Sequence, residues 1–278
     1  MPELPDLLYV RAQLERALVG RVVVAVRLKK PVVLRCLVPG GLELLVGSRL
    51  KSITRHLHFL AFSFASHDLV VNPMLAGRFR VAAPADRNEA ALAFAFELEG
   101  GTELRYLDDK QMGKVYLAAP GKWEAIPGLG AAGVDVLSAD FTPERFAALI
   151  AKRRDQVRVF LLDKSAIDSL GNAYADEVLF EAGIHPKTWC RSLSPDDVAR
   201  LQVSIVKVLR EATEEVARRG EPTEVKVRDF LKVRLKETCP RCGGKIRRAG
   251  VRGMDAYFCP RCQPETRAGL VDWRKTGR

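Results

Sequence analysis

The five residues that follow the initiator, Pro2-Glu3-Leu4-Pro5-Asp6, put a nucleophile at the chain terminus once Met1 is removed. The Pro2 nitrogen is then a secondary amine. An α-amino group titrates near ~8, far below lysine, so a useful fraction is unprotonated at neutral pH and can attack an aldehyde-like carbon to form an iminium. Glu3 stands beside it, placed to move protons. The pentapeptide also has a reading without chemistry: Pro2 makes Met1 cleavable, and Glu3 and Asp6 are acids in the first turn of a helix, where the macrodipole favours them. The chain is written with Met1 in place, and a retained methionine blocks the amine.

A second chemical signal lies near the other end. Cys239-Pro240-Arg241-Cys242 and Cys259-Pro260-Arg261-Cys262 are separated by sixteen residues. Four thiolates in two short-spaced pairs can close a tetrahedron around Zn²⁺, a structural site with no position left open for chemistry. The loop between the pairs carries Lys245, Arg247, Arg248 and Arg252 beside Tyr257 and Phe258, a basic tip suited to a phosphate backbone or, more plainly, a solvated charged face. A third stretch, Leu170-Gly171-Asn172, opens a helix; its N–H groups and the Asn172 amide could hold a phosphate, or Asn172 could simply be an N-cap.

These groups need elements to position them. Leu7, Val10, Leu14 and Leu18 recur at helical spacing with Gly20 past the end, which predicts an amphipathic helix over 5–19 that presents Pro2 and Glu3 at its head. Up to about Leu117 the period changes. β-rich runs such as Val22–Leu28, Val32–Cys36, Phe59–Phe64, Leu69–Val71, Leu92–Leu98 and Lys114–Ala118 alternate with turn signals, the pattern of a sandwich or barrel. Pro120-Gly121 and the Gly/Ala-rich 127–133 read as a linker region. Helices are predicted from Pro143, with Thr142 as cap, over Ala173–Ala182 up to Gly183, and from Ser194 to Arg218.

The 278 residues carry a net charge of +11, and from Thr223 onward fifteen Lys and Arg face six Asp and Glu, the footprint of a polyanion binder. No apolar run approaches the ~18 residues that span a bilayer, and no charged-then-apolar leader precedes a cleavage site. Paired cysteines of this kind point to metal in a reducing compartment, so a soluble cytoplasmic protein is expected, nucleoid-associated in a bacterium.

Taken in order, Pro2-Glu3-Leu4-Pro5, the run from Leu170 through Glu177, Ala182-Gly183-Ile184-His185-Pro186 and the four-cysteine finger make the chain resemble the formamidopyrimidine-DNA glycosylase and endonuclease VIII family over nearly its whole length. The resemblance implies an α+β architecture. Residues 1–133 would form an N-terminal helix plus β-sandwich domain, 134–222 a helix–two-turn–helix domain, 223–265 a zinc-finger module and 266–278 a basic tail, disordered by default. It implies a monomeric, bifunctional DNA glycosylase and AP lyase that flips a damaged base from double-stranded DNA. Pro2 would attack the sugar and β,δ-elimination would cut the strand. Glu3 would carry the proton, Asp6 would stand where many members have glutamate, and Asn172, with Arg158 and Arg252 nearby, would hold phosphate.

The departures are equally specific. His58 takes the place of a family lysine, and with a reference pKa near ~6.5 it holds a cation only where a phosphate or carboxylate raises that value. Met254 replaces the finger arginine, with Arg252 close by. Leu75, Lys110 and Met112 stand where members fill the gap left by the flipped base; Leu75 and Met112 could instead be core residues. The segment from Gly220 to Cys239 is shorter than the loop with which members cap oxidised guanine, leaving pyrimidine lesions, ring-opened purines and bare abasic sites as candidate substrates. Two other functions compete. One is a non-catalytic or lyase-poor binder of damaged DNA on the same scaffold; the other is a zinc-ribbon RNA binder, which explains the finger but not the Pro-Glu terminus.

Overall fold

The computed structural model describes residues 2–83, 90–130, 133–168 and 170–265. The tail expected from 266 onward lies outside the described residues. The chain divides into two compact units, residues 1–132 with 211–227, and residues 133–210 with 228 onward.

The first unit begins with α1 (Leu4–Leu18), which buries Leu4, Leu7, Leu14 and Leu18 along one stripe. The chain leaves the helix through Gly20, whose φ of +90° is open to glycine alone without strain. Two sheets follow. One has the antiparallel order β1 (Val23–Leu28), β7 (Leu92–Leu98), β8 (Thr102–Leu107), β6 (Arg78–Ala82). The other runs β2 (Leu34–Cys36), β9 (Lys114–Ala118), β5 (Asp68–Asn72), β4 (Phe59–Phe64), β3 (Leu50–His56), with β2 and β9 parallel. Leu7, Leu14 and Leu18 of the helix join Phe62, Phe64, Phe79, Phe94, Phe96 and Tyr106 of the sheets in one core. Burying each such side chain contributes roughly 1.5–3 kcal/mol, which is what holds helix and sheets together.

The stretch read as linker does not leave the sheet at once. Trp123 donates its indole N–H to Asp68 Oδ2 at 2.9 Å, and Ile126 is buried with Phe59, Ala61, Val70 and Tyr116 in a second, smaller core. Two apolar side chains among turn residues were enough to fold the stretch back.

The second unit holds α2 (Pro143–Ala151), α3 (Val157–Leu161) and α4 (Asn172–Ala182). Thr142 caps α2 as expected, its hydroxyl accepting the Arg145 N–H at 3.2 Å. Gly183, at φ +68°, closes α4. A reciprocal Ser194–Asp197 capping box starts α5 (Pro195–Arg219), whose residues from 211 count with the first unit. The finger is the hairpin β10 (Arg247–Val251) and β11 (Met254–Phe258), turned by Arg252 and Gly253, both at positive φ as a type I′ turn requires. Among the described residues, no helix is long and apolar enough to cross a membrane.

Candidate active site and nucleic-acid interface

Pro2 and Glu3 sit at the head of α1, and the helix start is built around them. Glu3 is the N-cap, and its carboxylate accepts the N–H of Asp6; Asp6 returns the bond, its Oδ2 accepting the Glu3 N–H at 2.8 Å. This is a capping box in which acids replace the usual Ser or Thr, and Pro5 in the first turn loses no hydrogen bond. Such a cap contributes roughly 0.5–2 kcal/mol. Its local effect is more important: the peptide unit that follows Pro2 is fixed. Glu3 and Asp6 are both buried. Beside them lies a narrow, mostly apolar cleft lined by Pro2, Asp6, Leu60, Gly77, Phe79 and Thr223, among others. Segment 223–226 walls it, held by bonds along residues 221–226. Glu221 O accepts the Tyr9 hydroxyl at 2.6 Å, Thr223 Oγ1 donates to Phe79 O at 2.6 Å, Glu224 pairs with Arg80, and Lys226 Nζ donates to Leu75 O at 3.1 Å.

His58 is not among the residues lining that cleft. It is half-buried at the turn between β3 and β4, where His56 faces Phe59 in register and Leu57 takes a φ of 57°.

Leu75 and Met112 are exposed by 56% and 39%, so the alternative that they are core residues is set aside; Lys110 is exposed as well. Each apolar tip adjoins a strained backbone. Met74 has φ 50° and Gln111 φ 52°, a conformation that costs a side-chain-bearing residue about 1–2 kcal/mol. Five described residues other than glycine adopt it. Leu57, Met74, Gln111 and Arg252 are themselves candidate contacts or flank one, and the fifth is Leu235, 71% exposed. The sequence offered no signal for this strain, because none of these residue types favours positive φ.

In the second unit Gly171, not Asn172, is the N-cap of α4, so the capping reading of Asn172 is set aside. Asn172 Oδ1 accepts from Arg158 Nη2 at 3.0 Å, which leaves its NH₂ as the group to offer a ligand. Arg158 itself, expected among the DNA contacts, is corrected by the structure. It is wholly buried, pairs with Asp176 at 2.8 Å and donates to the carbonyl of Asp255 at 2.9 Å. An arginine with these partners cannot reach a phosphate; it orients the Asn172 amide. Arg234 joins the same network, bonding Asp176 at 2.7 Å and Asp255 O at 3.0 Å and lying over the Tyr257 ring. Glu177 accepts the N–H groups of Lys232, Val233 and Arg234 at 2.7–2.9 Å. Asp176 and Glu177 lie in a stretch singled out from sequence, yet their roles were not visible there, since acids on a helix ordinarily face water. Arg252 stays 67% exposed at the finger tip, bonded to Asp155 at 2.7 Å, and Met254 is also exposed.

The four finger cysteines bring their sulfurs within 4.8 Å of one another, with Cys239 and Cys262 3.8 Å apart and Cys242 and Cys259 3.5 Å apart. A tetrahedron of sulfurs ~2.3 Å from a central Zn²⁺ has edges of about 3.8 Å, so the donor set fits. Gln263, fully buried, accepts the Cys259 N–H at 2.9 Å and donates to Ile184 O at 2.8 Å, tying the finger to the helical segment.

Family models match in three places. The N-terminal domain of formamidopyrimidine-DNA glycosylase matches residues 1–115, the H2TH domain of the same enzyme residues 132–221, and a zinc finger found in FPG and IleRS residues 236–264. The formamidopyrimidine-DNA glycosylase of Symbiobacterium thermophilum is 36% identical over 95% of this chain and 90% of its own length, and that of Brevibacillus brevis 35% over 95% and 99%. Among solved structures, the Lactococcus lactis enzyme in complex with DNA containing an abasic site superposes with a TM-score of 0.84 at 25% identity, covering 95% of this chain and all of that one. The same enzyme with DNA containing N7-benzyl-Fapy-dG does so at 26% identity, with the same TM-score and coverage.

Proposed function

The chain belongs to the formamidopyrimidine-DNA glycosylase family, and from that premise we propose that it is a base-excision DNA glycosylase and AP lyase working through Pro2. The observation that carries the reading is the head of α1, where Pro2 borders a cleft and the peptide behind it is clamped by the Glu3–Asp6 box.

With Met1 removed, the neutral Pro2 nitrogen attacks C1′ of the damaged nucleotide. The bond from C1′ to the base breaks, its electron pair leaving with the base, which takes up a proton. The Pro2 nitrogen gives its N–H proton to the Glu3 carboxylate; its lone pair then forms the iminium with C1′ as the C1′–O4′ electron pair moves to O4′, which takes the proton back from Glu3, and the sugar ring opens. Loss of a C2′ proton expels the 3′ phosphate, a second elimination expels the 5′ phosphate, and water releases the amine. Asp6 acts as a positioning residue through the Glu3 N–H. His58 supplies a cation near the flipped nucleotide only when a phosphate holds its proton.

Asn172 grips the backbone, Arg252 lends charge at the finger tip, and Leu75, Lys110 and Met112 enter the stack as the base leaves it. One zinc ion held by Cys239, Cys242, Cys259 and Cys262 folds the finger and takes no part in the chemistry. The partner is double-stranded DNA, read by a monomer in the cytoplasm. Abasic sites and ring-opened purines come first as substrates, since the Lactococcus lactis enzyme was solved with DNA carrying either kind of lesion. A non-catalytic role is not favoured, because the relatives spanning the whole chain are glycosylases.

Borohydride trapping tests this on duplexes bearing an abasic site, a ring-opened purine or an oxidised pyrimidine, with the N-terminus confirmed by mass spectrometry. A covalent adduct is expected from the processed protein and none from the form retaining Met1. Processed protein that binds these duplexes and traps none of them overturns the reading.

A further inference from the structure

The two loops that carry Leu75 and Met112 close on a single phenol. Tyr106 of β8 is wholly buried, stacked on Phe94 at 5.2 Å and tilted against Phe79 at 5.1 Å, its register partners on either side. Its hydroxyl oxygen occupies space that a side chain would need at two glycines. A Cβ at Gly77 would lie 2.2 Å from that oxygen and one at Gly113 2.0 Å from it, distances that no carbon tolerates. Gly77 closes the first loop by donating its N–H to Pro73 O at 2.8 Å, with strained Met74 and exposed Leu75 between. Gly113 closes the second by donating to Asp108 Oδ2 at 2.6 Å, with Lys110, strained Gln111 and Met112 between. Asp108 is itself buried, and its carbonyl accepts Lys30 Nζ at 3.0 Å. Burial, reinforced by the Asp108 carboxylate, pushes the phenol pKa up, so the hydroxyl keeps its proton.

Two loops far apart in sequence therefore share one oxygen atom as a wall, on a ring fixed by strands on both sides. Neither glycine has a side chain that could yield between loop and phenol.

We propose that Tyr106 is a positioning residue for lesion probing: its hydroxyl, wedged between Gly77 and Gly113, fixes the spacing of Leu75 and Met112 so that the two apolar tips enter a base stack as one unit. The inference rests on the reading of Leu75 and Met112 as probes. Removing the hydroxyl leaves a gap between the glycines and frees each loop to move without the other, so ordering each tip on the duplex becomes a separate cost.

The test is a double-mutant cycle read on a duplex with an abasic-site analogue and 2-aminopurine opposite it, whose fluorescence reports unstacking. Leu75→Ala, Met112→Ala and the pair are compared in the native background and with Tyr106→Phe. In the native background the paired loss is expected to differ from the product of the single losses by about three- to tenfold. With Tyr106→Phe the losses should simply multiply and the 2-aminopurine signal should fall. Trapping on a single-stranded abasic oligonucleotide, which needs no unstacking, serves as the folding control. Should Tyr106→Phe fail that control, hydrogen exchange on the native protein takes its place: the Gly77 and Gly113 N–H groups that close the two loops are expected to exchange together, and independent exchange overturns the coupling. Coupling that survives the Tyr106 change overturns the role of Tyr106 while leaving the probes intact. A signal indifferent to Leu75→Ala and Met112→Ala removes the probe reading, and the proposal with it.

Discussion

In the β unit, the residues proposed to probe a duplex stand on loops whose backbone is strained, with Leu75 and Met112 beside left-handed Met74 and Gln111. In the helical unit, Asn172 sits on a relaxed helix end and is held from behind by Arg158, which is buried and paired with Asp176. Under the proposed roles, the difference follows from what each side chain would do. An apolar wedge has no directional bond to aim it, so its direction is set by the backbone. An amide must show its NH₂ and hide its oxygen, and only a donor fixed behind it can decide that. Strain serves the first and a buried charge network the second.

The contrast breaks most completely at the finger. Replacing Cys239 or Cys262 with serine, or removing zinc with a chelator, should unfold β10 and β11, because structural zinc in such modules supplies on the order of 10 kcal/mol of folding energy. Duplex affinity should collapse with the circular-dichroism signal of the finger, and unchanged binding by zinc-free protein would remove the module from the interface. Next in size is Arg158→Met. It leaves Asp176 buried with only Arg234 and should destabilise the helical unit by about 3–5 kcal/mol in thermal unfolding.

Asn172→Ala should weaken binding to lesion-bearing and intact duplexes alike by about tenfold, the worth of one hydrogen bond to a charged group. Because the amide is neutral and displaces no counterion, the salt dependence of binding should not change. A loss confined to one lesion would contradict its assignment as a phosphate contact. Met74→Gly sharpens the other side of the comparison. Relief of strain and the added freedom of the unfolded chain should nearly cancel, leaving the melting temperature within a few degrees while preference for an abasic duplex over an intact one declines.

The smallest effect concerns pH. His185 is buried against the Phe258 ring at 4.6 Å, and burial lowers its pKa from the usual ~6.5. The folded state therefore disfavours the imidazolium. Stability from this site is complete above pH ~6.5 and is lost as pH falls toward the depressed folded value, because the unfolded chain takes up the proton first. Denaturant midpoints should decline over that window, and His185→Gln should flatten the decline.

Much of the scaffold was legible from residue pattern. Leu7, Leu14 and Leu18 specified the helix, the cysteine spacing specified the four-cysteine cluster, and Pro2 and Glu3 stand at the head of that helix as the leucine spacing placed them. What the pattern hid was burial of charge and strain of backbone. Strand β8 holds Glu103 and Arg105, which pair with each other in the interior, with Arg27 also on Glu103, and no feature of the sequence signalled that pair. Arg158 counts as a DNA contact only through the resemblance, and a lone arginine in sequence carries no sign of the aspartate eighteen residues on that pairs with it in the interior. Tyr106 carried no signal in the sequence, and only the two glycines crowding its hydroxyl single it out.

The three N–H groups gathered by Glu177 also bear on the order in which the molecule assembles. Those bonds join residues 55 to 57 positions apart, whereas Cys239 and Cys262 are 23 apart. Closing a longer loop costs more entropy, so the finger can close on its metal before the chain from Lys232 to Arg234 docks on α4. During synthesis, α4 must wait for that stretch and then for the finger hairpin, whose Asp255 carbonyl accepts from both Arg158 and Arg234. The network that aims Asn172 is complete only when that hairpin has emerged. The proposed grip on the DNA backbone is thus among the last features of the protein to mature, and a nascent chain has its helices before its asparagine is aimed.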